Sequence, residues 1–313
     1  MGRKSRHNSI NQSWFVDQLA KSVFFHRKLH EWGLLEIAQQ IEQIHGEQYN
    51  WKNLEDLNIS ESAWNKVIHN GIKPVLVFAH PEVLQKIERA VSYYRMLAMV
   101  SQKSMARIGL PVQELEISKT PDPDRAINIA RHLNAIISKL IESDETVMLR
   151  EFDIWRGMAA GAQAQGSWQN AKGKEIETLV KEIIQQRFRS AGITKTLTAN
   201  TIELIDGRTV ILGDDPDIAI YDRNTPVAAI EVKGGIDPAG ALERLGAAIK
   251  TLQRVKTRNP ACTTILLIRQ ASVTEGAKED IERSHDIVNY WYTVEEFVEN
   301  DEVQQQIWRL LGI

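Results

Sequence analysis

Apolar positions in the first half of the chain recur at helical spacing. Trp14, Val16, Leu19, Ala20, Val23 and Phe24 share one stripe, and Leu34, Leu35, Ala38, Ile41 and Ile44 continue the period. The same pattern predicts a helix over 62–69. A third runs from Pro81, with Leu84, Ile87, Val91, Tyr94 and Ala98 on one face. A fourth starts near Asp124 and carries Ile127, Ala130, Leu133, Ile137 and Leu140. The apolar run 75–78 has the length of a short strand. The small, glycine-containing stretch 157–166 predicts a domain boundary or hinge. It divides the chain into a mainly helical region, 1–165, and a second region, 166–313.

After the hinge the period changes. Ile176, Leu179, Val180, Ile183 and Ile184 mark an amphipathic helix ending near Gly192, a residue suited to a helix C-terminus. Strand-like runs follow at 198–205, 209–212, 217–221 and 227–233. A helix is expected over 238–257, then a buried strand at 263–268. A helix at 275–284, a strand at 287–292 and a helix at 294–311 complete the chain. The order α-β-β-β-α-β, with additions, predicts an α/β fold: one mixed sheet flanked by helices, preceded by a large helical region.

Composition narrows the function classes. No apolar run approaches the ~18 residues of a membrane span, and the basic start Met1–His7 leads into polar residues rather than a secretory signal. The single cysteine, Cys262, excludes an intrachain disulfide and any multi-thiolate zinc site, which fits a cytoplasmic protein. His26 and His30 stand four apart, but no third ligand accompanies them. No phosphate-binding P-loop and no nucleophile elbow occurs, so ATP-driven and α/β-hydrolase chemistries are not expected. With a net charge of −3, any nucleic-acid contact must use a local basic patch.

The informative segment is 216–235. Two apolar runs flank the polar stretch 222–226, the pattern of a hairpin with a loop of about five residues. A hairpin centred on Asn224 sets Asp217 opposite Glu231 on one face, with Cβ atoms ~5 Å apart. Lys233 follows two residues later on that face, while Ile218, Ile220, Ile230 and Val232 point into a core. Facing carboxylates repel, and a divalent cation relieves the repulsion. Mg²⁺ favours one or two carboxylates completed by water and phosphate oxygens, and a nearby lysine can stabilise developing negative charge. Common residue types at such spacing also arise by chance. Strand positions for the acids, inward-pointing apolar neighbours and the pair Gly234-Gly235 favour the functional reading.

Pro216-Asp217 followed by Glu231-Val232-Lys233 resembles the PD-(D/E)XK nuclease motif, over roughly residues 171–293. The helix opening Gly173-Lys174-Glu175-Ile176-Glu177 is similar to that superfamily's first core helix. The run Ile230 to Arg244 resembles type II restriction endonucleases of the XcyI-like group. The resemblance implies a restriction-endonuclease-like core and Mg²⁺, for which Mn²⁺ substitutes. It implies metal ligands from Asp217, Glu231 and the Val232 carbonyl, and Lys233 acting on the attacking water. Glu177 supports the metal through water; its bland alternative is a solvated carboxylate early in a helix.

The resemblance further implies double-stranded DNA cut at a short palindromic site by a homodimer. Arg244, Lys250 and Arg254 on the following helix, and Lys195, are candidate DNA contacts, although each alone also fits a solvated face. The N-terminal region is assigned dimer contacts or DNA grip. A structure-specific repair or recombination nuclease, and a non-catalytic DNA-binding protein on the same fold, are the rival readings.

Overall fold

The computed structural model describes residues 18–235 and 240–313. Trp14 and Val16 of the first expected helix, the basic start, and the expected helix start at Pro238 lie outside them. The chain divides into two compact units, Met1–Trp168 and Gln169–Ile313. Among the described residues no helix is long and apolar enough to cross a membrane.

The first unit is helical. Residues 18–31 form α1, followed by α2 (Leu34–Glu42), α3 (Glu61–His69), α4 (Pro81–Lys86), α5 (Ala90–Leu97), α6 (Gln102–Arg107) and α7 (Pro123–Ser143). α7 starts where Asp122 caps the Arg125 N–H and Pro123 takes the first helical position. Its buried stripe runs through Ile129, Leu133, Ile137 and Ile141.

Two expectations fail here for local reasons. The apolar run 75–78 is no strand; Pro74–Leu76 forms a buried 3-10 turn. Side chains satisfy its backbone in place of a ladder. The Tyr94 and Tyr93 hydroxyls donate to the Val75 and Leu76 carbonyls, and the Asn134 amide both accepts from and donates to Ala79. The helix expected from Pro81 to Ala98 breaks into α4 and α5. Arg89 turns left-handed at φ 64°, and its guanidinium donates to the Ile117 carbonyl.

The stretch 157–166 is helical rather than a loop, and the division between the two units falls just after it. A single 42-residue helix, α8 (Leu149–Ser190), runs through it. Ala159, Ala160, Ala162 and Ala164 with Gln163 and Gln165 favour helix strongly enough to carry three glycines costing ~1 kcal/mol each.

In the second unit a seven-stranded sheet has the order β1-β2-β3-β4-β5-β6-β7. The strands are β1 (Thr194–Leu197), β2 (Thr201–Leu204), β3 (Arg208–Leu212), β4 (Ile218–Asp222), β5 (Thr225–Lys233), β6 (Thr263–Ile268) and β7 (Tyr290–Thr293). The first five form an antiparallel meander, whereas β5-β6 and β6-β7 pair in parallel. Those parallel pairs need crossovers, supplied by α9 (Ala241–Arg258) and α10 (Glu275–Arg283). One face packs Ile218, Ile220, Ile230 and Val232 against Val180, Ile184 and Phe188 of α8 and against Phe297 and Trp308. The other packs Ala229 and Leu266 against Leu245, Ala248 and Leu252 of α9. The predicted α/β class and mixed sheet hold.

Element edges differ from expectation. The strand expected at 198–205 is shorter, β2 alone, because 198–200 form a turn where the Thr198 hydroxyl accepts from the Thr201 N–H, and β1 precedes it as a strand the pattern did not predict. β7 begins only at Tyr290. The C-terminal helix divides into α11 (Val294–Glu299) and α12 (Asp301–Leu311), because Asn300 is extended and caps α12 with its side chain.

Candidate active site

The β4-β5 hairpin turns more tightly than expected. Asp222 pairs with Thr225, so Arg223 and Asn224 alone form the loop, and Arg223 has φ 58°. A bulge between Ile220 and Tyr221 then restores the register, giving Ile220↔Ala228 and Ile218↔Ile230. Extra loop residues and a bulge shift register equivalently, so the expected alignment of Asp217 with Glu231 survives a wrong loop length.

Asp217 sits just before β4, in the bend that follows Gly213. Its N–H donates to Glu231 Oε2 at 3.4 Å, and the Val232 N–H donates to Asp217 Oδ2 at 2.8 Å. Lys233 Nζ donates to Glu231 Oε1 at 2.5 Å. Both carboxylates are almost wholly buried, with side chains 4% and 3% exposed, so repulsion between them is weakly screened.

Their protonation reflects that burial. Desolvation raises Asp217 above the ordinary carboxylate range, against the Val232 N–H and Lys233, which lower it. Glu231 is pushed up to about 7, by desolvation first and by Asp217 in addition, with Lys233 opposing. Burial works against the Lys233 ammonium, but Glu231, Asp217 and Glu177 outweigh it and raise this lysine. Glu177 is raised by partial burial and then by the Asp217 charge. Glu177 thus shares the electrostatic neighbourhood of Asp217 and Lys233.

α8 reaches the sheet end by a close backbone approach. A Cβ at Gly234 would lie 2.6 Å from the Ile176 Cβ and 2.7 Å from the Gly173 carbonyl oxygen. Only glycine fits there, and the contact sets the first turns of this segment, with Glu177, against the end of β5. Gly234→Ala is expected to destabilise the protein by about 1–3 kcal/mol through overpacking, read as a lowered thermal midpoint, and to reduce any activity of the site. Gly235→Ala is expected to cost less, because its Cβ would meet the Arg244 side chain rather than backbone.

Of the expected site residues, Asp217, Glu231, Lys233 and Glu177 come together. Val232 buries its side chain in the core and offers only its main chain. Arg244 does not stand free for DNA; it lies against Gly235 and donates to Ser272 Oγ, which in turn donates to the Gly235 carbonyl. Arg254 pairs with Asp215, which also accepts from Thr251. Lys250 is exposed on α9. Lys195 is exposed on β1, three strands from β4, roughly 14 Å at ordinary strand spacing. Sequence reading missed Lys181. Its Nζ lies 3.6 Å from Asp217 Oδ1 and donates to the Gly213 carbonyl at 2.6 Å. The signal was present: Lys181 is one helical turn after Glu177.

Among the described residues no three His, Cys, Asp or Glu side chains gather closely enough to hold a metal ion by themselves. Two hard carboxylates still suit Mg²⁺, which keeps several waters.

Comparison with known proteins gives a consistent result. The family described as XcyI restriction endonuclease matches residues 39–313. The type II restriction enzyme Cfr9I of Citrobacter freundii is 26% identical over 228 residues, covering 67% of this chain and 69% of that protein. The type II restriction enzyme XcyI of Xanthomonas campestris pv. cyanopsidis is 26% identical over 231 residues, covering 67% and 68%.

Proposed function

This chain belongs to the XcyI restriction endonuclease family, and from that membership we propose that it is a type II site-specific deoxyribonuclease. It hydrolyses phosphodiester bonds of double-stranded DNA at a short palindromic site, requires Mg²⁺, and acts as a homodimer within a restriction-modification system. The observation that carries the reading is the buried Asp217-Glu231 pair with Lys233 on Glu231. Such a pair is costly in a merely structural sheet, and oxygen ligands of this kind suit a hard cation.

Asp217 and Glu231 would hold Mg²⁺, with the Val232 carbonyl beside them. When bound, the ion supplies charge neutralisation at the scissile phosphate and a more acidic water. Lys233 orients the attacking water and offers positive charge to the phosphoryl oxygens as negative charge develops. Glu177, whose carboxyl is raised by partial burial and the Asp217 charge, supports the metal site through water at the rim. Cutting both strands of a palindrome needs two such sites related by a two-fold axis, which is the argument for a dimer. The helical first unit is assigned dimer contacts and DNA grip, and Lys250 and Arg254 of α9 are assigned phosphate contacts.

The test is digestion of unmethylated phage DNA by the purified protein with Mg²⁺, followed by sequencing of fragment ends. Discrete fragments sharing one short palindrome at their termini are expected, with Mn²⁺ substituting and a chelator abolishing cleavage. Cleavage confined to branched DNA would favour a repair nuclease instead. Binding without cleavage under either metal would favour a non-catalytic DNA-binding protein.

A further inference from the structure

The two buried carboxylates are partnered by the same scheme. Each has one oxygen tied to a backbone N–H: Asp217 Oδ2 to Val232, and Glu231 Oε2 to Asp217. Each has its other oxygen facing a lysine. Glu231 Oε1 takes Lys233 at 2.5 Å, and Asp217 Oδ1 faces Lys181 at 3.6 Å. The remaining oxygens, Oδ1 and Oε1, are therefore the ones available to a cation, and ammonium groups stand at both. The two lysines are not held alike. Lys233 makes a direct hydrogen bond to its carboxylate. Lys181 is beyond hydrogen-bond range of Asp217 and is anchored instead on the Gly213 carbonyl.

We propose that Lys181 is a resident counter-cation: it neutralises Asp217 Oδ1 before a divalent ion arrives and yields that oxygen to the ion. The inference rests on the metal site of the proposed function. Lys181 extends from α8 on the turn after Glu177, so one helix supplies both a carboxylate and a positive charge to the same end of the sheet. With Asp217, Glu231 and Glu177 charged, two lysines leave the cluster with one net negative charge; without Lys181 it would carry two. Its anchor at Gly213 keeps the ammonium near the site once Oδ1 is given up, where it can face a DNA phosphate. Lys181 is thus a positioning residue whose charge opposes metal entry. Two positive charges competing for one oxygen are coupled, and each must weaken the other's hold equally.

The test is a calorimetric titration with Mn²⁺ alone, without DNA, on the full-length protein. Lys181→Gln keeps an N–H donor for the Gly213 carbonyl and removes the charge; Lys181→Arg keeps the charge. Lys181→Gln is expected to bind Mn²⁺ at least about fivefold more tightly than wild type. Lys181→Arg is expected to bind with wild-type affinity, and Asp217→Asn to abolish binding. Without metal, Lys181→Gln should melt lower than wild type, and saturating Mn²⁺ should close that gap. A residue that only clamps the Gly213 turn would leave the metal affinity unmoved, so unchanged or weaker binding by Lys181→Gln overturns the inference. In that case plasmid cleavage by the wild type still judges the proposed nuclease independently. A wild type that binds no Mn²⁺ removes the metal site and this inference together.

Discussion

Lys233→Ala and Asp217→Asn proteins are expected to bind duplex DNA and leave it uncut. Lys233 is the cation in direct contact with Glu231, and in the proposed reaction its charge lies where the phosphoryl oxygens gain charge. Removing one such preorganised group typically lowers a rate by ~10²–10³-fold. Asp217→Asn retains an oxygen that accepts from the Val232 N–H, so the backbone contact survives while the charge proposed to hold the metal is lost. Asp217→Ala is the harsher change, because it leaves that buried N–H without a partner at a cost of about 1–3 kcal/mol. The pair Asn and Ala therefore separates chemistry from folding. The measurement is a plasmid time course in Mg²⁺, alongside a gel-shift titration with Ca²⁺ in its place. Wild-type cleavage by either Lys233→Ala or Asp217→Asn would remove the assigned active site. Loss of DNA binding with an unchanged melting curve would move these residues from chemistry to DNA recognition.

Period-2 alternation in β5 and the match of its apolar positions to β4 carry the candidate site in the sequence itself. Ile218, Ile220, Ile230 and Val232 all point into one core, and parity then forces Glu231 and Lys233 to the opposite face. The alignment with Asp217 came out right although the loop was read as five residues rather than two, because the bulge at Ile220-Tyr221 compensates. What the pattern could not carry were choices made by partners distant in sequence. The run 75–78 looks like a strand, yet Tyr93 and Tyr94 satisfy two of its carbonyls from another helix, and Asn134 satisfies the adjoining Ala79. Composition marks 157–166 as a boundary or hinge; the division between units does fall close by, after Trp168, but intervening alanines and glutamines keep the stretch helical rather than a loop. Arg244 looked like a DNA contact by charge, but the missing side chain of Gly235 opens a slot that it fills. Lys181 was visible as an i, i+4 neighbour of Glu177, but its role depends on a carbonyl at Gly213 that no local pattern announces.

In the absence of divalent metal, the protein is expected to lose stability as pH rises from about 5 to 8, and Mg²⁺ should largely cancel that loss. Glu231 is raised from its ordinary value of 4.5 to about 7 by desolvation, and Asp217 and Glu177 are raised by the same cause. A carboxyl with a raised folded-state pKa binds its proton more tightly when folded. Its contribution is fully present below the unfolded value and is lost as pH climbs through the folded one. For Glu231 that difference amounts to about 3 kcal/mol. Lys233 does not offset this in the same window, because its own pKa is raised from an ordinary 10.5 and its stabilising share fades only at more alkaline pH. A divalent cation between the carboxylates favours their charged forms and so flattens the slope. Thermal midpoints at pH 5 and pH 8 in a chelator should therefore differ by several degrees, and the gap should shrink in Mg²⁺. Glu231→Gln removes the strongest titrating group, and its midpoint in chelator should vary much less with pH. A wild-type midpoint that is flat in chelator, or an equally steep slope in Glu231→Gln, would show that these buried carboxylates do not carry the pH dependence assigned to them.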